Sequence, residues 1–276
     1  MEKMTTEYIW DLWTKIQAER PLVHCITNIV TVNDCANILL AAGASPTMAH
    51  HPSEVEEVTA GCRSLVLNLG ATESVEAMKR AARKASELGH PIVIDPVGVS
   101  GSSWRRELCA QVMREAAGTF SCIRGNLSEI KALAANQGTA VGVDAAQSDR
   151  MQAQTLQEAA DTVRELAAGT GAIVIASGQT DLVSDGKCVY AVRNGSPLMA
   201  RITGSGCMSS ALLGAFLSAE QSLEAAAASC VVMGIAGELA EQRTRQQKGG
   251  TGTFRTCLLD AVSMLEKNQL EKAIVV

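Results

Sequence analysis

Pro91-Ile92-Val93-Ile94-Asp95-Pro96-Val97-Gly98 reads as a short strand that ends on a carboxylate. A β-branched run without polar alternation belongs in a sheet covered on both faces, and Pro96 lacks the amide needed to extend the ladder. Ala172-Ile173-Val174-Ile175-Ala176 has the same character. Apolar runs over 22–26, 64–69 and 119–124 are similar, and helical spacing appears over 31–42, 72–88 and 104–116. A further helix is predicted at 6–17, where Ile9, Leu12, Trp13 and Ile16 share one face. Buried strands separated by helices predict an α/β fold, with a mostly parallel central sheet flanked by helices. In such sheets functional groups collect at the carboxyl ends of the strands. Asn28, Asn68, Gly70, Asp95, Arg124, Asn126 and Ser177 each follow a strand pattern, so one crevice is expected to gather them.

The pattern changes over 181–200, where short strands and Asn194-Gly195 predict an antiparallel edge hairpin. Residues 136–155 are polar and irregular, an expected exposed connection, and 242–252 read as a basic, glycine-rich loop between two helices. No linker-like run divides the 276 residues, so a single domain over 1–276 is expected. Hydrophobic residues make up 47% and charged ones 19%, enough for a substantial core. A formal charge of −5 argues against a polyanion-binding surface, and no nucleic-acid partner is expected. The nine cysteines form no C-x-x-C pair, the wrong spacing for a zinc ribbon, and their odd number suits a reduced, cytoplasmic protein. The charged N-terminus predicts no secretion signal. The uncharged span 202–219 approaches membrane-spanning length, but its Thr, Ser and Gly suit a buried helix, and no membrane partner is expected.

Arg201-Ile202-Thr203-Gly204-Ser205-Gly206-Cys207 runs straight into the helical stretch 208–219. Two glycines around one small residue let bare amides point at an anion, and the helix macrodipole adds positive potential there. Phosphate is the expected guest; the competing reading is a glycine turn that merely starts a buried helix. Cys207 lies in the first helical turn, where the same field is expected to favour its thiolate. Asp95 is placed to hold Mg²⁺, directly or through water, or else to cap the loop after it. In Arg124-Gly125-Asn126-Leu127-Ser128-Glu129 the guanidinium suits phosphate, and Asn126 and Glu129 suit a metal or its waters. Asn126-x-x-Glu129 is also the spacing of a capping box, and the two roles are compatible. The histidines at 24, 50, 51 and 90 lack metal-ligand spacing, and His50 and His51 read as surface loop residues. Neither a G-x-S-x-G elbow nor a Walker loop is present.

His24-Cys-Ile-Thr-Asn28, Gly43-Ala-Ser-Pro-Thr-Met48, Leu65-Val-Leu-Asn-Leu-Gly70, Asp95-Pro-Val-Gly98, Ile123-Arg-Gly-Asn126 with Glu129, and Thr203-Gly-Ser-Gly-Cys207 follow one another in a distinctive order and spacing. On these segments the chain, from about residue 10 to 265, resembles the hydroxyethylthiazole kinases. The resemblance implies a ribokinase-like fold, ATP and Mg²⁺ as cosubstrates, and phosphorylation of 4-methyl-5-(2-hydroxyethyl)thiazole for thiamine salvage. It implies a homotrimer with sites at subunit boundaries. It further implies that Asn28, Met48, Asn68, Gly70 and Gly204 form the thiazole site, that Arg124, Asn126, Ser177 and Thr203 contact the nucleotide, and that Asp95 and Glu129 organise magnesium. Cys207, Arg124 and the Gly204-Ser205-Gly206 turn would then act on the moving phosphoryl group, with the thiol orienting or weakly deprotonating the alcohol.

The chain departs from the family pattern in two places. Ser177 stands where many relatives have Thr, and Ser205 replaces a frequent Ala or Thr; both keep the chemistry that a hydroxyl or a backbone amide supplies. Cys207 stands where more distant ribokinase-like enzymes carry Asp, which counts against a hydroxymethylpyrimidine kinase or a nucleotide-hydrate dehydratase. A non-catalytic nucleotide or small-molecule sensor and a Cys207 acyl enzyme are the alternatives of another class.

Overall fold

The strands, in chain order, are β1 (Leu22–Ile26), β2 (Ser45–Thr47), β3 (Ser64–Asn68), β4 (Ile92–Asp95), β5 (Ser121–Asn126), β6 (Ile173–Ser177), β7 (Asp181–Ser184) and β8 (Val189–Val192). They form one sheet in the order β2-β1-β3-β4-β5-β6-β7-β8. Pairing is parallel from β2 to β6 and antiparallel from β6 through β8, as the sequence predicts. The computed structural model describes residues 4–116, 121–136 and 153–276. The expected connection over 136–155 and the first residues of the strand expected over 119–124 therefore lie largely outside the described residues.

The helices are α1 (Thr6–Glu19), α2 (Val32–Ala41), α3 (Val55–Ala60), α4 (Val75–Leu88), α5 (Ser103–Glu115), α6 (Leu127–Asn136), α7 (Ala153–Thr170), α8 (Ser205–Ala219), α9 (Leu223–Gln246) and α10 (Thr251–Ser263). Successive strand side chains point to opposite faces, which divides the core in two. Val23, Cys25, Val66, Val93, Cys122, Ile173 and Ile175 join α1, α2, α8, α9 and α10 on one face. Leu65, Leu67, Ile92, Ile94, Ile123 and Val174 join the faces of α3 to α7 on the other. Both layers are apolar, so a strand apolar on both sides is what the sheet requires.

Helix α8 lies directly against the sheet because Gly214 has no side chain. A Cβ there would come within 2.6 Å of Val66 Cγ2 and 3.2 Å of Val23 Cγ1. This contact brings the N-terminus of α8 over the carboxyl ends of the central strands. Helix α9 is long and apolar enough to cross a membrane by length and composition, and 83% of that apolar window is buried inside the fold. The span 202–219 supplies α8, whose residues Met208 to Leu217 are buried, the core helix its composition predicts.

Two local expectations are corrected. The β7–β8 turn lies at 185–188, where Asp185 Oδ1 accepts from the Lys187 and Cys188 amides at 2.8 Å each and Gly186 adopts φ +90°. Asn194-Gly195 instead follows β8: the Asn194 amide donates to the Lys272 carbonyl and accepts from the Ile274 N–H, pinning the C-terminal segment. The second correction concerns 242–252, because α9 continues to Gln246 and leaves only 247–250 as loop. Arg245 pairs with Glu241 one turn earlier, and Arg243 and Arg245 oppose the negative end of the helix, so charge there extends the helix instead of ending it.

Candidate active site

Asn68, at the carboxyl end of β3, fixes the orientation of its neighbours. Its Oδ1 accepts the Gly70 N–H at 2.9 Å, and a backbone amide can only donate. The Nδ2 side must therefore face Asp95 Oδ2 at 3.0 Å and Cys207 Sγ at 3.1 Å. Asn28 Nδ2 donates to the same Asn68 Oδ1 at 3.2 Å and to Cys207 Sγ at 3.6 Å. Gly70 permits this arrangement, since a Cβ there would lie 2.7 Å from Asn68 Oδ1. Asn28, Asn68, Gly70, Asp95 and Cys207 thus form one network reaching from β1 across β3 and β4 to α8.

Asp95 is 4% exposed and accepts from Ser210 Oγ at 2.8 Å on the oxygen that Asn68 also bonds. Burial pushes its carboxyl up to about 6, against the pull of the Arg124 guanidinium; the charge of Glu129 pushes it further up. Glu129 accepts the Gly98 N–H on Oε1 at 3.0 Å and the Asn126 N–H on Oε2 at 2.9 Å, while Asn126 Oδ1 accepts the Glu129 N–H at 2.9 Å. The capping box is therefore formed, and each Glu129 oxygen keeps a lone pair. Gly125 leaves room for it, because a Cβ there would sit 3.1 Å from Glu129 Oε2. Arg105 ties the loops together, donating from Nη1 to the carbonyls of Leu69 and Val97.

Gly204 takes φ +85° at the N-cap of α8. The first intrahelical bond runs from the Met208 N–H to the Gly204 carbonyl at 2.8 Å, so the amides of Ser205, Gly206 and Cys207 precede it and have no acceptor within the helix. Arg124, 7% exposed on β5, donates from Nη1 to the Gly206 carbonyl at 3.1 Å. Arg124, Ser205, Gly206 and Ser177 line a cavity of about 770 Å³, walled on its far side by residues that include Asp181, Arg193 and Met233. Desolvation pushes the Asp181 carboxyl up, with the Arg124 charge opposing it. Ser177 Oγ donates to the Gly125 carbonyl at 3.2 Å, holding β6 to β5 at the rim.

The expectation of a favoured Cys207 thiolate is corrected. Burial, and then the charge of Asp95, push the thiol above its ordinary range; hydrogen bonds from Thr31, Asn28 and Asn68 only moderate this. Desolvation and a nearby carboxylate outweigh the helix-end field, so the sulfur is protonated at neutral pH. His24 cannot act as its base. The ring is fully buried, with Nδ1 against Thr59 Oγ1 at 2.9 Å and Nε2 against the Ala49 carbonyl at 2.8 Å.

Two anticipated residues stand apart. Met48 is half-buried on the core that also carries Cys207, and Thr203 is exposed one residue before the turn; neither is hydrogen-bonded into the network among the described residues. Asn126 is exposed and its side chain serves its own helix. His50 and His51 are exposed, as expected. Four contributors were not anticipated: Ser210, Thr31, Arg105, and Asp34, a buried carboxylate paired with Arg255 Nε at 2.8 Å and close behind Gly204. Asp34 had a legible signal, since a carboxylate on the same helical face as Cys35 and Ile38 needs a buried partner.

A family model for the hydroxyethylthiazole kinase family matches residues 13–268. A hydroxyethylthiazole kinase of Clostridium acetobutylicum is 43% identical over 262 residues, 94% of this chain and 95% of that protein. The solved structure of a hydroxyethylthiazole kinase from Pyrococcus horikoshii superposes with a TM-score of 0.86 at 34% identity, covering 98% of both chains. A Staphylococcus aureus pyridoxal kinase, at 15% identity with a TM-score of 0.55 over 79% of this chain and 88% of its own, shares the fold.

Proposed function

The chain belongs to the hydroxyethylthiazole kinase family and is a thiazole alcohol kinase of thiamine salvage; from that premise we propose how its residues divide the work. The cavity beside Arg124 and Ser177 takes the nucleotide, and the thiazole alcohol lies on the Asn28, Asn68, Gly70 and Met48 side of Cys207. The observation that carries this reading is the row of amides at Ser205, Gly206 and Cys207 that, among the described residues, lack an acceptor, opening beside a buried Arg124 on the cavity wall. Such a row is an anion site, and a charged donor at its edge suits a transferring phosphoryl group.

In the reaction the hydroxyethyl oxygen forms a bond to the terminal phosphorus as the bond to the bridging oxygen breaks. A loose transition state demands positioning and charge neutralisation more than deprotonation. A protonated Cys207 therefore serves by orienting the alcohol, and Arg124 with the turn amides meets the charge on the phosphoryl oxygens. Ser177 lines the nucleotide cavity, and Asn126 and Thr203 are assigned to the nucleotide by family resemblance alone.

Asp95 and Glu129 suit magnesium in chemistry. Both are carboxylates with oxygen lone pairs to spare, and their mutual repulsion would be relieved by a divalent cation. Among the described residues no cluster of three or more His, Cys, Asp or Glu side chains forms a metal cage, which fits an ion held largely by triphosphate and water. Bound there, it would neutralise phosphate charge.

We read residues 1–276 as one kinase domain, working in the cytoplasm as a homotrimer. Ile29 and Val30, 84% and 67% exposed, form an apolar margin next to Asn28 and support closure by a neighbouring subunit. The test is a phosphorylation assay with ATP, with and without Mg²⁺, comparing hydroxyethylthiazole with hydroxymethylpyrimidine by product mass. Metal-dependent phosphorylation of the thiazole alcohol is expected; preference for the pyrimidine would defeat the substrate assignment.

A further inference from the structure

A carboxylate stands behind the glycine turn that opens α8. Asp34, in the first turn of α2, is 3% exposed, and a Cβ built on Gly204 would lie 3.5 Å from its Oδ2. Gly204 has no side chain to hold that oxygen away from the turn backbone. A negative charge at the back of an anion site opposes the group that the amides of Ser205, Gly206 and Cys207 attract.

Its counterion comes from far along the chain. Arg255, on α10, donates from Nε to Asp34 Oδ1 at 2.8 Å and from Nη2 to the same oxygen. Both donors serve one oxygen, and among the described residues Oδ2, the one facing Gly204, accepts no hydrogen bond. No second cation pairs with Asp34 among the described residues. The Asp34 side chain is 4% exposed and that of Arg255 45%, so the carboxylate is the member with little water to screen it. Its charge is cancelled only while the guanidinium stays.

We propose that Arg255 is a positioning residue for the nucleotide: brought in by α10, it cancels the charge of Asp34 and so keeps the glycine turn attractive to a polyphosphate. This rests on the anion-site reading of the turn given above. The acceptor alcohol is neutral and is affected little.

The test is calorimetric titration of each variant with ATP and Mg²⁺, alongside KM for both substrates. Arg255→Met keeps the stem and removes the charge; Kd and KM for ATP should rise about 10-fold, with KM for hydroxyethylthiazole within about twofold of wild type. Adding Asp34→Asn to that variant should return ATP affinity to within about threefold of wild type, because both charges are then gone. Asp34→Asn alone leaves Arg255 uncancelled and should bind ATP about threefold more tightly. A pair that merely latches α10 to α2 gives another pattern, in which both single variants weaken ATP binding and the double variant is no better than Arg255→Met. That pattern overturns the proposal, as does an Arg255→Met variant that binds ATP like wild type. If Arg255→Met does not fold, Asp34→Asn decides alone, and unchanged or weaker ATP binding overturns it. Arg124→Ala in the same titration reads the anion site itself. Affinity lost there with no response at Asp34 or Arg255 defeats only this proposal; affinity retained there removes the anion site and the proposal with it.

Discussion

Asp95 carries a cost in the free protein. Its carboxyl titrates near 6 when folded and near 3.8 when not, so between those values the folded state holds more protons and stability falls as pH rises. Above pH 6 the penalty is complete, on the order of 3 kcal/mol. Asp95→Asn should accordingly raise the unfolding temperature of the ligand-free protein at pH 7.5, with the gain nearly gone at pH 4, while turnover is lost. Thermal unfolding at both pH values checks this; an equal shift at each would assign the effect to packing. At this scale the residues legible in the sequence were those ending strands, because apolar runs expose the polar residue that stops them. Asn28, Asn68, Asp95 and Arg124 were found that way. Thr31 and Ser210 were not, since a hydroxyl at a helix start or on a small-residue helix reads as a cap or as filler. The protonation of Cys207 was misread because a helix-end field is visible in sequence and desolvation is not.

Helix α8 illustrates how an element carries a site. Its amides reach the cavity only because Gly214 lets the helix lie on Val23 and Val66. An added methyl in a helix normally stabilises by up to about 1 kcal/mol. Here Gly214→Ala should instead destabilise by about 1–3 kcal/mol and lower kcat, because two stiff β-branched side chains must give way. The denaturant midpoint and kcat together test it, and a stabilised, fully active variant would refute the packing argument. Most elements were legible: β1 spans 22–26 as predicted, and α1 and α4 differ by a turn or less. Among those missed, α7 is long, with 18 residues, and two others are short. Strand β2 has three residues including Pro46, and α3 has six, too few for a period to register. Asn194-Gly195 misled because a turn dipeptide does not say which contact will claim its amide.

The architecture of the whole molecule followed from alternation along the strands, a property the sequence displays directly. Association between subunits does not, since exposed apolar residues look the same in sequence as buried ones. If the proposed trimer holds, Ile29→Asp combined with Val30→Asp should yield monomers by sedimentation and reduce turnover, because the Asn28 flank is left open. Unchanged mass would move the interface elsewhere.

Five adjacent strands, β1, β3, β4, β5 and β6, each present one polar group at the same edge, from Asn28 to Ser177. Neighbouring strands are spaced about 4.8 Å apart, so the row measures roughly 19 Å, and its divisions are set by backbone hydrogen bonding, not by side chains. On the assignment proposed above, the row works as a ruler with acceptor at one end and donor at the other. The separation of acceptor and donor is thereby written into the pitch of the sheet.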